Sequence, residues 1–341
     1  MSKLPERKNT TWKRWLPGML VSVIIIYVLI HLINLDAFLA AIQRTNYFYI
    51  IVAFMLLAIA NLTRACAWRE LLGRKINLKD TFCIVNEGYL LNQIIPRSGE
   101  VGRALLVNSA IDMNFFQAFS TILIERAMDL IITAVLFLAT IGRAVALEWI
   151  VPVAISVLCV VIAGFLFLLW AIKKKDKVED WCSGMEVRSP FFKKYISSNL
   201  QALINGAAII REGNHFLSAI LWIVVSWVLW IAITYLLLYG FIGAFPLWWA
   251  IFIQSVLAFG IALPSAPAGL GVYEGTLVAA LAVFQIDNEV ALSFAIIMHV
   301  IQLITIAILG IGSLVNQGNS LRTLVDSVLQ RLRTRRSEND E

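Results

Sequence analysis

Long apolar stretches separated by short polar ones dominate the chain. Six of them, residues 16–34, 47–65, 115–140, 149–172, 216–241 and 290–315, approach or exceed the roughly 20 residues needed to cross a hydrocarbon core. Their unbroken character predicts helices, since barrel strands would read as segments of about ten alternating residues. Two further apolar stretches are interrupted. Residues 82–114 carry Asn86, Glu87, Asn92, Pro96, Arg97, Gly99, Glu100 and Arg103, and residues 247–284 contain Pro264-Ser265-Ala266-Pro267-Ala268-Gly269-Leu270-Gly271. Each is expected to be a re-entrant hairpin or a pair of short spans. Backbone groups freed at such breaks need partners, so the breaks must face protein or a wet cavity. The expected fold is all-α: a polytopic transmembrane bundle of six full spans plus two broken segments, or eight spans.

Basic residues set the orientation. Lys3, Arg7, Lys8, Lys13 and Arg14 precede the first apolar run, and Arg64, Arg69, Arg74 and Lys75 follow the second. Lys173, Lys174, Lys175 and Lys177 follow the run that ends at 172, and Arg331, Arg333, Arg335 and Arg336 lie near the C-terminus. If both broken segments return to their own side, every cluster falls in the cytoplasm, together with both termini. Residues 1–315 then form one transmembrane domain, with a cytoplasmic loop at 173–215 and a basic amphipathic tail at 316–341. The halves 16–140 and 149–315 each read span, span, broken segment, span. An odd number of crossings per half is the signature of an inverted-topology repeat. The alternative is that two interrupted hairpins arose independently.

Composition sharpens this picture. The chain is 60% hydrophobic and only 15% charged, and its mean hydropathy is +0.81. The net charge of +6 sits at helix ends without a nucleic-acid-binding fold pattern, so nucleic acid is not an expected partner. Cys66, Cys83, Cys159 and Cys182 form no CxxC pair, and His31, His215 and His299 lack ligand-like neighbours; no metal site and no cofactor are expected. Two amphipathic stretches lie outside the spans, at 191–211 and 321–332. The second is read as an interfacial helix on anionic lipid, or as a partner-binding helix.

Three polar constellations carry the candidate chemistry. The first is Asn92…Pro96-Arg97-x-Gly99-Glu100-x-x-Arg103, where arginine forks beside a helix break suit phosphate oxygens. Solvated charge on a cytoplasmic turn is the rival reading. The second is Glu125-Arg126-x-x-Asp129 inside an apolar run. Glu125 and Asp129 share a face at i,i+4 and Arg126 reaches Asp129 at i,i+3, either as a packing network or, with Arg97 and Arg103, as one polar groove. The third is Pro264-x-x-Pro267-x-Gly269-x-Gly271-x-x-Glu274. A helix beginning near Gly271 would aim free N–H groups at the break, unless Glu274 satisfies those donors itself.

In this order, the three constellations resemble the transmembrane region of lysylphosphatidylglycerol synthases, also called the flippase-like domain. The similarity spans nearly the whole chain, although Ala268 stands where the family often has glycine. The resemblance implies a prokaryotic plasma-membrane protein acting on lipids. In larger relatives this region moves aminoacylated phosphatidylglycerol between leaflets, while a separate soluble domain synthesises it. That soluble domain has no counterpart here, so synthase activity is not expected. The expected function is flippase-like translocation of a phospholipid or polyprenyl-linked glycolipid. An accessory subunit of a lipid-modifying enzyme, or a membrane-embedded enzyme using Glu100, Glu125, Asp129 or Glu274 as acid or base, is the alternative. The expected partners are membrane lipids with an anionic or lipid-linked headgroup.

Overall fold

The computed structural model describes residues 46–111, 113–144 and 213–318, with a few isolated residues between 27 and 206. Among the described residues the protein is an all-α membrane bundle. In chain order its helices are α1 (Tyr47–Leu71), α2 (Leu78–Ile94), α3 (Gly99–Ala110), α4 (Phe115–Ala144), α5 (Gly213–Ile242), α6 (Leu247–Gly260), α7 (Val272–Ala282) and α8 (Asn288–Gln317), with a 3-10 turn at Pro267–Gly269. Local chemistry fixes several ends. The Asn46 side chain accepts from the Phe48 N–H and the Asn77 side chain from the Asp80 N–H, capping α1 and α2. Gly318 ends α8 in the left-handed conformation.

Helices α1, α5 and α8 are long and apolar enough to cross a bilayer. Helix α4 matches α8 in length, at 30 residues, but carries Glu125, Arg126 and Asp129 in its first half. These four helices cover four of the six expected spans; 16–34 and 149–172 lie outside the described residues, as do the amphipathic stretches at 191–211 and 321–332. The expected second span is longer than its apolar run. Helix α1 continues to Leu71, so Arg69 also lies within the helix, and Arg64, instead of following the span as a cytoplasmic charge, is received by Asp129. Outward stripes at helical spacing, such as Leu217, Leu221, Val224 and Val228 on α5 and Val300, Ile304, Ile308 and Ile311 on α8, are exposed. They offer the apolar surface that lipid chains solvate.

Each interrupted segment forms a helix pair, α2 with α3 and α6 with α7, so the breaks fall at 95–98 and 261–271. The main packings are preserved when α1–α4 are exchanged with α5–α8. Helix α1 packs on α2 as α5 does on α6, α2 on α3 as α6 on α7, and α3 on α4 as α7 on α8; α2 lies against α8 as α6 lies against α4, while α1 and α5 pack on each other. Among the described residues two large apolar cores result, with a smaller cluster between α2 and α8. One gathers Trp68, Ile84, Ile122 and Ile223, the other Leu237, Phe252, Leu281 and Phe294.

Close backbone approach closes the first pair. A Cβ on Gly99 would lie 2.3 Å from the Gly88 carbonyl oxygen, whereas one on Gly142 would meet open space. Gly99→Ala should therefore destabilise the protein by about 1–3 kcal/mol, and Gly142→Ala should leave it unchanged. Thermal unfolding in detergent, followed by fluorescence, checks the contrast.

Candidate functional site

Glu125 has no exposed surface, and three guanidinium groups converge on it. Arg103 of α3 donates to its Oε2 at 2.7 Å and Arg126 to its Oε1 at 3.2 Å, while Arg64 of α1 stands 3.7 Å from Oε1. One turn further along α4, Asp129 pairs with Arg64 at 2.7 Å and with Arg126 at 3.4 Å. It also accepts the indole N–H of Trp227 from α5 at 3.0 Å. The Arg103 guanidinium lies 4.0 Å above the Trp68 ring, whose own N–H donates to Thr121. Ionised groups placed here alone would each cost roughly 2.5–3.5 kcal/mol on insertion scales. Together they compensate one another.

The compensation is incomplete, with more donors than acceptors left over. Three guanidiniums face two carboxylates, with Glu100 acting on Arg126 from further away. The buried Nε atoms of Arg103 and Arg126 and Nη1 of Arg64 lack a hydrogen-bond partner, as does one acceptor, Oδ2 of Asp129. The Arg126 side chain is 40% exposed, against 2% for Arg103 and 10% for Arg64. Unfilled donors behind one open guanidinium suit an oxyanion with several acceptors, such as a phosphate.

The first break is stapled by its own side chains. The Asn92 side-chain oxygen accepts the Gly99 N–H at 2.7 Å, and the Ser98 hydroxyl donates to the Ile95 carbonyl. Asn92 and Gly99 thus hold the turn's shape and are turned towards each other. Beyond Pro96, Arg97 adopts a positive φ of 61°, which an L-residue enters at a cost. Its exposed guanidinium donates to the carbonyl of Ala262, in the second break. Arg97 is therefore not part of the Glu125 cluster, whereas Arg103 is; the polar groove expected from both divides here. Glu100 is half-buried in the first turn of α3.

The second break has a different chemistry. Ala268, Gly269 and Gly271 all have positive φ, so the alanine in the place often held by glycine adopts the left-handed conformation nonetheless. Glu274 Oε2 accepts the Gly271 N–H at 2.8 Å, and Glu274 Oε1 lies 2.6 Å from His299 Nδ1. His299 Nε2 faces the Ala268 carbonyl at 3.0 Å, and its ring stacks on Tyr273. The carboxylate of Glu274 stands where an anionic ligand would approach the start of α7, so that terminus is not an open phosphate cradle. Pro267 and Gly269 shape the 3-10 turn, which packs on α2.

Arg64, Trp68, Trp227 and His299 are the participants that sequence reasoning misses. His299 occupies in α8 the ordinal position that Arg126 occupies in α4, and Gln302 likewise matches Asp129. Alignment of the two helices at their starts would have found both.

Residues 15–310 match the lysylphosphatidylglycerol synthase TM region. The chain belongs to that family. It is 23% identical over 327 residues to UPF0104 membrane protein MJ1595 of Methanocaldococcus jannaschii, covering 86% of this chain and 91% of the relative. No solved structure matches the chain. The family match includes every member of the Glu125 cluster and both breaks, and ends seven residues short of the last residue of α8.

Arg103→Met leaves Glu125 short of its nearest cation, and breaking a buried pair in this way costs about 3–5 kcal/mol. Adding Glu125→Gln should recover part of the loss. Unfolding of the two single variants and the double variant in detergent checks this, and strict additivity would show that the two groups do not interact.

Proposed function

We propose that this protein moves a lipid with a phosphate-bearing headgroup, a phospholipid or a polyprenyl-linked glycolipid, between the leaflets of a prokaryotic plasma membrane. The observation that carries the reading is the arginine cluster, with buried unfilled N–H donors behind the half-exposed Arg126. A headgroup entering the bilayer loses its hydration, and such a cluster replaces water with fixed donors. The two breaks support the same reading. They touch through Arg97 and Ala262, which places irregular backbone from both halves side by side, as at the binding sites of repeat-built transporters. The exchange symmetry of the helix packings supports two repeat halves. An odd number of crossings per half would give those halves opposite orientations, with both termini cytoplasmic.

Membrane-embedded acid–base catalysis fits less well. Of the carboxylates that could serve, Glu125 and Asp129 are held by arginines and Glu274 by the Gly271 N–H and His299, so none of the three is free to abstract a substrate proton.

Two measurements test the reading. In proteoliposomes carrying a fluorescent anionic phospholipid, dithionite quenching should report transbilayer movement, slowed about tenfold by Arg126→Ala, or ~1.4 kcal/mol of barrier. Arg126 is chosen because its partly exposed side chain makes truncation least disruptive to the fold. Equal rates with and without protein would remove the proposal. A cysteine replacing Gly142 should react with a membrane-impermeant thiol reagent from the outer side of intact cells. Reaction from the cytosol alone reverses the orientation scheme.

A further inference from the structure

Glu87 lies midway along α2 and has no exposed surface. Neither of its carboxyl oxygens has a hydrogen-bond partner, and the side-chain oxygen of adjacent Asn86 is also unsatisfied. The turn of α2 that holds them is the one that meets α8. Leu90 Cβ and the Asn86 carbonyl lie 2.7 and 3.1 Å from where a Cβ on Gly310 would stand. The Asn316 amide reaches Cys83 Sγ at 3.4 Å, and Leu90, Leu91, Ile306 and Leu314 form an apolar cluster along the same seam.

Among the described residues, the charged and titratable groups on the elements packed against α2 are engaged elsewhere or stand apart from Glu87. On α1, Arg64 pairs with Asp129, Arg69 donates to the Ile76 carbonyl, and Glu70 binds Arg74 and His215; Cys66 is half-buried. On α3, Arg103 pairs with Glu125, and Glu100 acts on Arg126. On α8, His299 is held by Glu274, and Glu289 belongs to the first turn, at the far end from Gly310. The 3-10 turn carries no ionisable side chain. On α2 itself, Lys79 and Asp80 belong to the exposed start, and Tyr89 lies within the field of the Glu125 cluster.

An unpaired carboxylate is too costly to keep in such a dry seam. We propose that Glu87 is a proton-binding site, neutral while the α2–α8 seam is closed and ionised when the seam parts and admits water. Closing takes one proton from water to form the carboxyl O–H bond; opening breaks that bond and returns the proton. Because α2 also packs on the second break, the seam links both breaks to this protonation. That linkage gives a chain without a nucleotide-binding loop a source of drive, the proton gradient. The coupling to lipid movement rests on the proposed function; the proton site does not.

Infrared difference spectroscopy of the full chain in liposomes, stepped in pH, reads the carboxyl directly. The wild type should show a protonated-carboxyl band that disappears as pH rises. The band should be lost in Glu87→Gln and shifted in Glu87→Asp. In the same liposomes, movement of labelled anionic phospholipid should respond to an imposed pH gradient in the wild type and lose that response in Glu87→Gln. No titrating band in the wild type, or a band unchanged in Glu87→Gln, overturns the proton site. If Glu87→Gln does not fold, the Glu87→Asp band decides: a shift supports the site and an unmoved band overturns it. A band that behaves as expected without lipid movement in any sample upholds the site and removes the transport reading instead.

Discussion

The carboxylate of Glu125, wholly enclosed where α1, α3, α4 and α5 converge, constrains more of this fold than any other group. It persists there only with cations fixed around it. Arg64 ties α1 to α4 through Asp129, Arg103 holds α3 against α4, and Trp227 brings α5 to Asp129. The position of α3 in turn sets the first break, because Gly99 must lie against Gly88 and Asn92. The side chains of the cationic cluster are thus the same ones that hold the helices together.

That convergence explains which parts the sequence reveals. The four long described helices follow from the length of their apolar runs alone, since hydrocarbon thickness dictates length. The breaks follow from Pro96, Pro267 and the glycines around them, and the Glu125–Asp129 face from i,i+4 spacing. Arg64 was not legible. A basic residue at the end of an apolar run satisfies the positive-inside pattern, and only Asp129, 65 positions away, shows that it belongs to a buried cluster. The contact from Arg97 to Ala262 spans 165 positions, and that between Glu274 and His299 spans 25. Local periodicity carries no trace of such pairings. Glu87 reads in the sequence as one polar interruption among several; its meaning comes from what is missing around it in the fold.

The two halves have solved one problem differently. Both set a helix break beside a long helix with polar residues at matching places, Arg126 and Asp129 in α4 and His299 and Gln302 in α8. In the first half the charges reach outward through Arg126. In the second they close on each other, Glu274 taking both the Gly271 N–H and the imidazole. The first half thus carries an open cationic site and the second a self-satisfied break. The seam between α2 and α8 joins them, so movement there alters both.

The claim beneath this account is that Arg126 meets lipid phosphate directly. Solid-state NMR dipolar recoupling between nitrogen-15-labelled arginine side chains and phosphorus-31 of lipid, in a bilayer containing the reconstituted protein, reads that contact. The account predicts phosphorus-dependent dephasing of a guanidinium signal that disappears in Arg126→Ala. Dephasing that is absent, or that survives the substitution unchanged, would contradict it.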